Sequence, residues 1–107
     1  MQNAREELDK ILVYLSYSYD DIKCFNIAFY PQCCEPAKVK LKGSNVKELQ
    51  EKINFIYDNG YGMQHLHGVI LFKDGAWIER VEYDGSEWWE YKKPLTCKDI
   101  EEMEFES

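Results

Sequence analysis

His65 and His67 stand two residues apart in the run Gln64-His65-Leu66-His67. On an extended backbone that spacing puts both imidazoles on one side, as two ligands of a metal ion require. Cys33 and Cys34 are the available third and fourth ligands, but two adjacent cysteines fit neither a C-x-x-C redox motif nor a usual zinc spacing. Cys34 beside either histidine would make a thiolate–imidazole pair, and no local signature of a nucleophilic cysteine surrounds it. Glu79 is the best single acid, because the residues expected around it (Ile70, Trp77, Tyr91) are apolar and would perturb its ionisation. No second carboxylate pairs with it, so two-carboxylate acid–base chemistry has no support. The glycines at 60 and 62 lack the pattern of a phosphate-binding loop and read as a turn. These residues leave a small enzyme or metal-binding domain using Glu79 or His65/His67 as an alternative; the main expectation is no catalytic residue, no metal and no cofactor.

A different chemistry gathers between Asp74 and Pro94, DGAWIERVEYDGSEWWEYKKP, with three tryptophans, two tyrosines and six acidic residues. Residues 76–107 hold ten acids against four bases, while residues 37–52 hold five lysines against two glutamates. With a net charge of −7, the chain would be repelled by nucleic acid and by anionic membrane. A basic or nucleic-acid-binding protein would be attracted. The acids Glu82, Asp84, Glu87 and Glu90, continued by Glu101, Glu102, Glu104 and Glu106, read either as a solubilising surface or as a docking surface. Trp88 beside them favours docking, since tryptophan is a typical interface anchor. The expected partner-binding set is Glu82, Asp84, Glu87, Trp88 and Glu90. The lysines at 38, 40 and 42 read as a solvated strand face.

The elements that must position these groups follow from periodicity. Residues 3 to about 16 form a helix with Asn3 as N-cap, Glu6 at capping-box spacing, and Leu8, Ile11, Leu12 and Leu15 as its stripe. Ile22–Tyr30 is a strand inside the sheet, with Phe25, Ile27 and Phe29 on one face and Cys24, Asn26 and Ala28 on the other. Ala37–Lys42 alternates Val39 and Leu41 with lysines, the pattern of an edge strand. Ser44 or Asn45, the latter at capping-box spacing from Glu48, caps a second helix whose stripe is Leu49, Ile53 and Ile56. Strands then follow at 66–72, 77–83 and 87–93, before a short acidic tail with a helical turn at 99–103. The fold class is α+β: two helices on a mostly antiparallel sheet of five to six strands, in the order α-β-β-α-β-β-β, as one domain over residues 1–107.

The two Asp-Gly turns set the hairpin register. A two-residue turn at Asp74-Gly75 would place Phe72 opposite Trp77 and Ile70 opposite Glu79. A three-residue loop, Asp84-Gly85-Ser86, would gather Trp77, Val81, Tyr83, Trp89 and Tyr91 on one face. Arg80 then opposes Glu90, and Glu82 opposes Trp88, away from the aromatics.

The stretches Tyr57–Gly62 and Gly68–Pro94, with the pattern D-G-x-W-x-E-R-x-E-Y-D-G-S-E-W-W-E-Y-K, resemble a group of small accessory proteins of phages and prophages. The match covers about a third of the chain and departs at Ile70 and Leu71, where that group would place an aromatic. The resemblance implies a mobile-element origin and brings no catalytic residue with it. By analogy of class it implies a non-catalytic inhibitor, an anti-defence protein acting on a basic or nucleic-acid-binding host protein. An immunity protein neutralising a basic nuclease toxin has the same physical profile. The charged N-terminus, MQNAREELDK, lacks the apolar core of a signal peptide, which sets a cytoplasmic expectation.

Overall fold

The computed structural model describes residues 1–32, 35–58, 60, 63–94 and 97–102. The chain runs β1 (Gln2–Asn3), α1 (Ala4–Tyr14), a 3-10 turn (Tyr19–Asp21), β2 (Ile22–Phe29), β3 (Val39–Gly43) and α2 (Val46–Lys52). It continues through β4 (Ile56–Tyr57), β5 (Leu66–Phe72), β6 (Trp77–Tyr83), β7 (Ser86–Lys92) and a short α3 (Cys97–Glu101). Five strands form one antiparallel sheet in the order β3-β2-β5-β6-β7, and β1 pairs with β4 in a separate ribbon. The architecture is the expected α+β arrangement. No helix among the described residues is long and apolar enough to cross a membrane.

Both helices begin where the caps require. The side chain of Asn3 accepts from the Glu6 N–H at 3.0 Å, and that of Asn45 from the Glu48 N–H at 3.1 Å. Leu15 closes α1, and Ser16 follows in the left-handed region at φ 64°. Ala4, Leu8 and Leu12 from α1, Leu49 from α2 and Ile53 at its C-cap are buried against Ile22, Phe25, Ile27, Phe29, Leu41, Leu66, Ile70, Phe72, Ile78 and Trp89 of the sheet. Helical and strand periodicities thus meet on one sheet face. β2 lies between β3 and β5 as expected, and β3 is an edge strand with Lys40 and Lys42 exposed. Ile56 departs from expectation. It lies outside α2, on β4, paired with Asn3 and exposed to solvent.

The hairpin registers are corrected by one residue each. β5 and β6 pair Leu71 with Trp77, Ile70 with Ile78 and Val69 with Glu79, around a three-residue loop, Lys73-Asp74-Gly75. The loop is closed by the Gly75 N–H donating to Phe72 O at 3.0 Å, and Asp74 Oδ1 accepts from the Ala76 N–H at 2.9 Å. Gly75 takes φ 94°, the left-handed position that such a loop gives to glycine. β6 and β7 instead use the two-residue turn, with Asp84 at φ 51° and Gly85 at φ 87°, pairing Tyr83 with Ser86 and Arg80 with Trp89. The consequence is a change of faces. Ile78, Arg80, Glu87 and Trp89 point to the core, whereas Trp77, Glu79, Val81, Tyr83, Trp88 and Glu90 share the opposite face.

The Asp74 loop is tied to the segment after α1. Tyr17 stacks on Phe72 with ring centroids 3.9 Å apart, and its hydroxyl donates to Asp74 Oδ2 at 2.6 Å. That hydrogen bond, with the Ala76 N–H, holds the Asp74 carboxyl below its ordinary value. A depressed folded pKa means that the contribution is present at neutral pH and lost as pH falls through the folded value. Replacing Tyr17 with Phe is expected to raise the Asp74 pKa toward that of a free aspartate. Carboxyl-carbon NMR titration measures it; an unmoved pKa would show that the hydroxyl does not set it.

Candidate functional site

The core face of β6 and β7 carries a buried ionic network. The Glu87 carboxylate accepts from Arg80 Nη2 at 2.8 Å, from the Leu66 N–H at 3.0 Å and from the His65 N–H at 2.7 Å. Arg80 Nη1 donates to Glu7 Oε1 at 3.0 Å, and Nη2 donates to the Tyr57 hydroxyl at 2.8 Å. The Tyr57 hydroxyl in turn donates to Glu7. The guanidinium carbon of Arg80 lies 5.2 Å from the centre of the Trp89 ring and 5.9 Å from that of Tyr57, within cation–π range of both. Burial holds the Tyr57 phenol well above its usual range against the lowering effect of Arg80, so it stays a donor. The network therefore joins α1, β4, the start of β5, β6 and β7.

This arrangement braces the fold from within. The side chains of Arg80 and Glu87 are fully enclosed, and Glu7, with 15% of its side chain exposed, is the member that reaches solvent. Glu87 is thus placed differently from the expected partner-binding set: at 3% exposure it is unavailable as a contact. The signal that could have found the network is the Asp84-Gly85 turn. Read as a two-residue turn, it sets Arg80 and Glu87 on one face, seven residues apart. Glu7 lies 73 residues from Arg80 in sequence, and nothing local announces it.

The remaining expected contacts do come together, on and beside the opposite face. Trp88 is 42% exposed, and Glu90 lies two residues along the same strand, 3.5 Å from Lys92 Nζ. Glu79 is directly opposite Glu90 in the β6–β7 ladder. It faces Val69 on β5, so the apolar surroundings expected for it are replaced by a partly open sheet face. Tyr83, expected in the core, is 76% exposed at the hairpin tip. Glu82 and Asp84 complete that tip. Glu82 Oε1 accepts from the Gly85 N–H at 2.8 Å and so also fixes the turn.

The histidines are occupied locally. His65 Nδ1 lies 2.9 Å from Tyr30 O, and His67 Nε2 lies 3.2 Å from Gln64 O, with the His67 ring edge-on to Tyr30. Among the described residues no three His, Cys, Asp or Glu side chains converge as a metal site would need. Cys33 and Cys34, and the tail acids Glu104 and Glu106, lie outside the described residues.

Fold and site together define the class: an α+β protein whose sheet packs its helices on one face and carries an acidic, aromatic surface on the other. Comparison of the chain with models of protein families, with curated proteins and with solved structures finds no match in any of the three, and the functional reading rests on the geometry.

Proposed function

We propose that this is a non-catalytic protein-binding module of inhibitor type, whose docking surface is the outer face and tip of the β6–β7 hairpin. Trp88 is the anchor; Glu79, Glu82, Asp84 and Glu90 supply the charge; the partner is a basic or nucleic-acid-binding protein. The observation that carries this reading is the direct pairing of Glu79 with Glu90 beside a half-exposed Trp88. Like charges directly opposite each other across a ladder are destabilising. Lys92 offsets only part of that repulsion. The lysines of β3 lie three strand spacings from Glu79 and four from Glu90, roughly 14 Å or more, beyond the Debye length of about 8 Å at physiological salt. A lysine or arginine from a partner, set between the two carboxylates while Trp88 is covered, would relieve it. An anti-defence role on a host protein is the form of this function that the resemblance to phage accessory proteins favours.

The test is capture of partners from a lysate at low salt, followed by titration of the purified partner. Affinity is expected to fall steeply as salt rises, and by roughly tenfold or more in Trp88→Ala and in Glu90→Lys. An affinity indifferent to salt and to both substitutions would reject the surface.

A further inference from the structure

The two edges of the sheet are built differently. β3 exposes Lys40 and Lys42 along five residues, a usual protection against pairing with another chain. β7 is seven residues long, SEWWEYK, with no proline and an unbroken register against β6. Its outer edge pairs with no strand among the described residues. The two-residue turn makes Tyr83–Ser86 the hydrogen-bonded pair that closes the hairpin. Alternation then directs the backbone groups of Trp88, Glu90 and Lys92 to β6, and those of Glu87, Trp89 and Tyr91 to the free edge.

From this we infer that the β7 edge is the seat of a second copy of the same chain, joined strand to strand about a two-fold axis at Trp89. The charges along the strand favour that occupant. The turn end of β7 is acidic (Glu82, Asp84) and the far end is basic (Lys92, Lys93). An antiparallel copy centred on Trp89 brings each lysine pair alongside the other copy's acidic turn, at both ends. In that register all seven residues of β7 are paired, Glu87 faces Tyr91 of the second copy, Trp88 faces its Glu90, and no like charges oppose each other. Moving the centre to Glu90 would set that carboxylate against itself.

A second feature lies along the same edge. An open cleft of about 400 Å³ runs between Glu7, Lys10, Ile11 and Tyr14 of α1 and Trp88 and Trp89 of β7. Tyr14 stands at its rim, 82% exposed. With the two-fold axis normal to the sheet, both α1 helices fall on the same side, so the two clefts face each other across the new interface. Because the lysine-lined β3 edge resists pairing, the association closes at two copies and does not extend to a fibre. The inference does not rest on the partner reading: it shares Glu82, Asp84, Trp88 and Glu90 with that surface, but its test is the oligomeric state of the chain alone, with no partner present.

Sedimentation velocity from low to high micromolar concentration tests it. The expected result is a species of twice the chain's mass that gives way to monomer on dilution. Tyr91→Pro removes one N–H on the free edge and none from the ladder, a position where an edge strand tolerates proline. It should leave the far-UV spectrum unchanged and the protein monomeric, whereas Tyr91→Ala, which keeps the N–H, should still dimerise. If Tyr91→Pro fails to fold, Lys92→Glu/Lys93→Glu decides, with an expected loss of at least tenfold in dimer affinity at low salt. Parent protein that stays monomeric throughout overturns the inference. So does a folded Tyr91→Pro variant that dimerises, or a double charge reversal that leaves the affinity unchanged.

Discussion

Glu87→Ala is expected to remove about 3–5 kcal/mol of folding stability, the usual cost of breaking one side of a buried ion pair. Small domains have only about 5–15 kcal/mol in total, so the variant should be largely unfolded under mild denaturant. Two losses combine. Arg80, whose side chain is fully enclosed, keeps only Glu7 and Tyr57 as partners. The N–H groups of His65 and Leu66 at the start of β5 lose the carboxylate that accepts from both. The second loss makes this pair unlike buried salt bridges that apolar residues can replace at no cost. Glu87→Leu would restore volume but still orphan both backbone donors, each worth about 1–3 kcal/mol when buried and unsatisfied. Glu87→Gln keeps an accepting oxygen and should be the mildest of the three. Arg80→Met combined with Glu87→Leu should cost less than the sum of the single changes, because neither charge is left alone. Urea denaturation midpoints at unchanged m-value measure all of these. A loss below about 1 kcal/mol for Glu87→Ala would show that the network is not the brace described here.

The same network explains which parts of the fold the sequence disclosed. Helix caps at Asn3 and Asn45, the apolar stripes Leu8–Leu12 and Leu49–Ile53, the lysine-marked edge at β3 and the interior β2 were all legible. Each is a local pattern or a simple count of apolar faces. The hairpin registers were not. Asp-Gly serves equally in a two-residue turn and at the end of a three-residue loop, so local chemistry does not choose between them. The choice fell to the rule that charges stay off the core face, and Arg80 with Glu87 breaks that rule because each neutralises the other. That one exception reverses the faces of β6: it moves Tyr83 and Glu79 outward and brings Arg80 to the core side, where it meets Glu87 of β7. It also left Trp88 and Glu90 where sequence reasoning had put them, on the face away from the helices. The β1–β4 ribbon was invisible for a different reason. Two residues on each side carry no periodicity, and their pairing joins Asn3 to Ile56 across about half the chain.

Gly68→Ala is the second substitution with a large expected effect, and here two opposing terms must be weighed. Gly68 lies on β5 opposite Ile27 of β2. A Cβ added there would sit 2.8 Å from Ile27 Cγ1, 2.9 Å from Asn26 O and 3.2 Å from Ile27 Cα. The isoleucine tip could rotate away, but the carbonyl and the Cα belong to the backbone of β2. That strand is paired on both sides, with β3 and with β5, so it cannot retreat without disturbing two ladders. Overpacking of this kind costs about 1–3 kcal/mol. Against it stands the lower chain entropy of unfolded alanine, worth about 0.4–1 kcal/mol in favour of the variant. The clash wins, because it involves backbone on an interior strand, and a net loss of about 1–2 kcal/mol remains. For a domain of this size that corresponds to a fall in Tm of about 4–16 °C. The β6–β7 hairpin lies on the far side of β5 from the clash, so Gly68→Ala should lower the Tm while leaving the salt-dependent affinity of the Trp88 surface intact in the folded fraction. A Tm equal to the parent's would mean that β2 and β5 stand further apart than the present spacing.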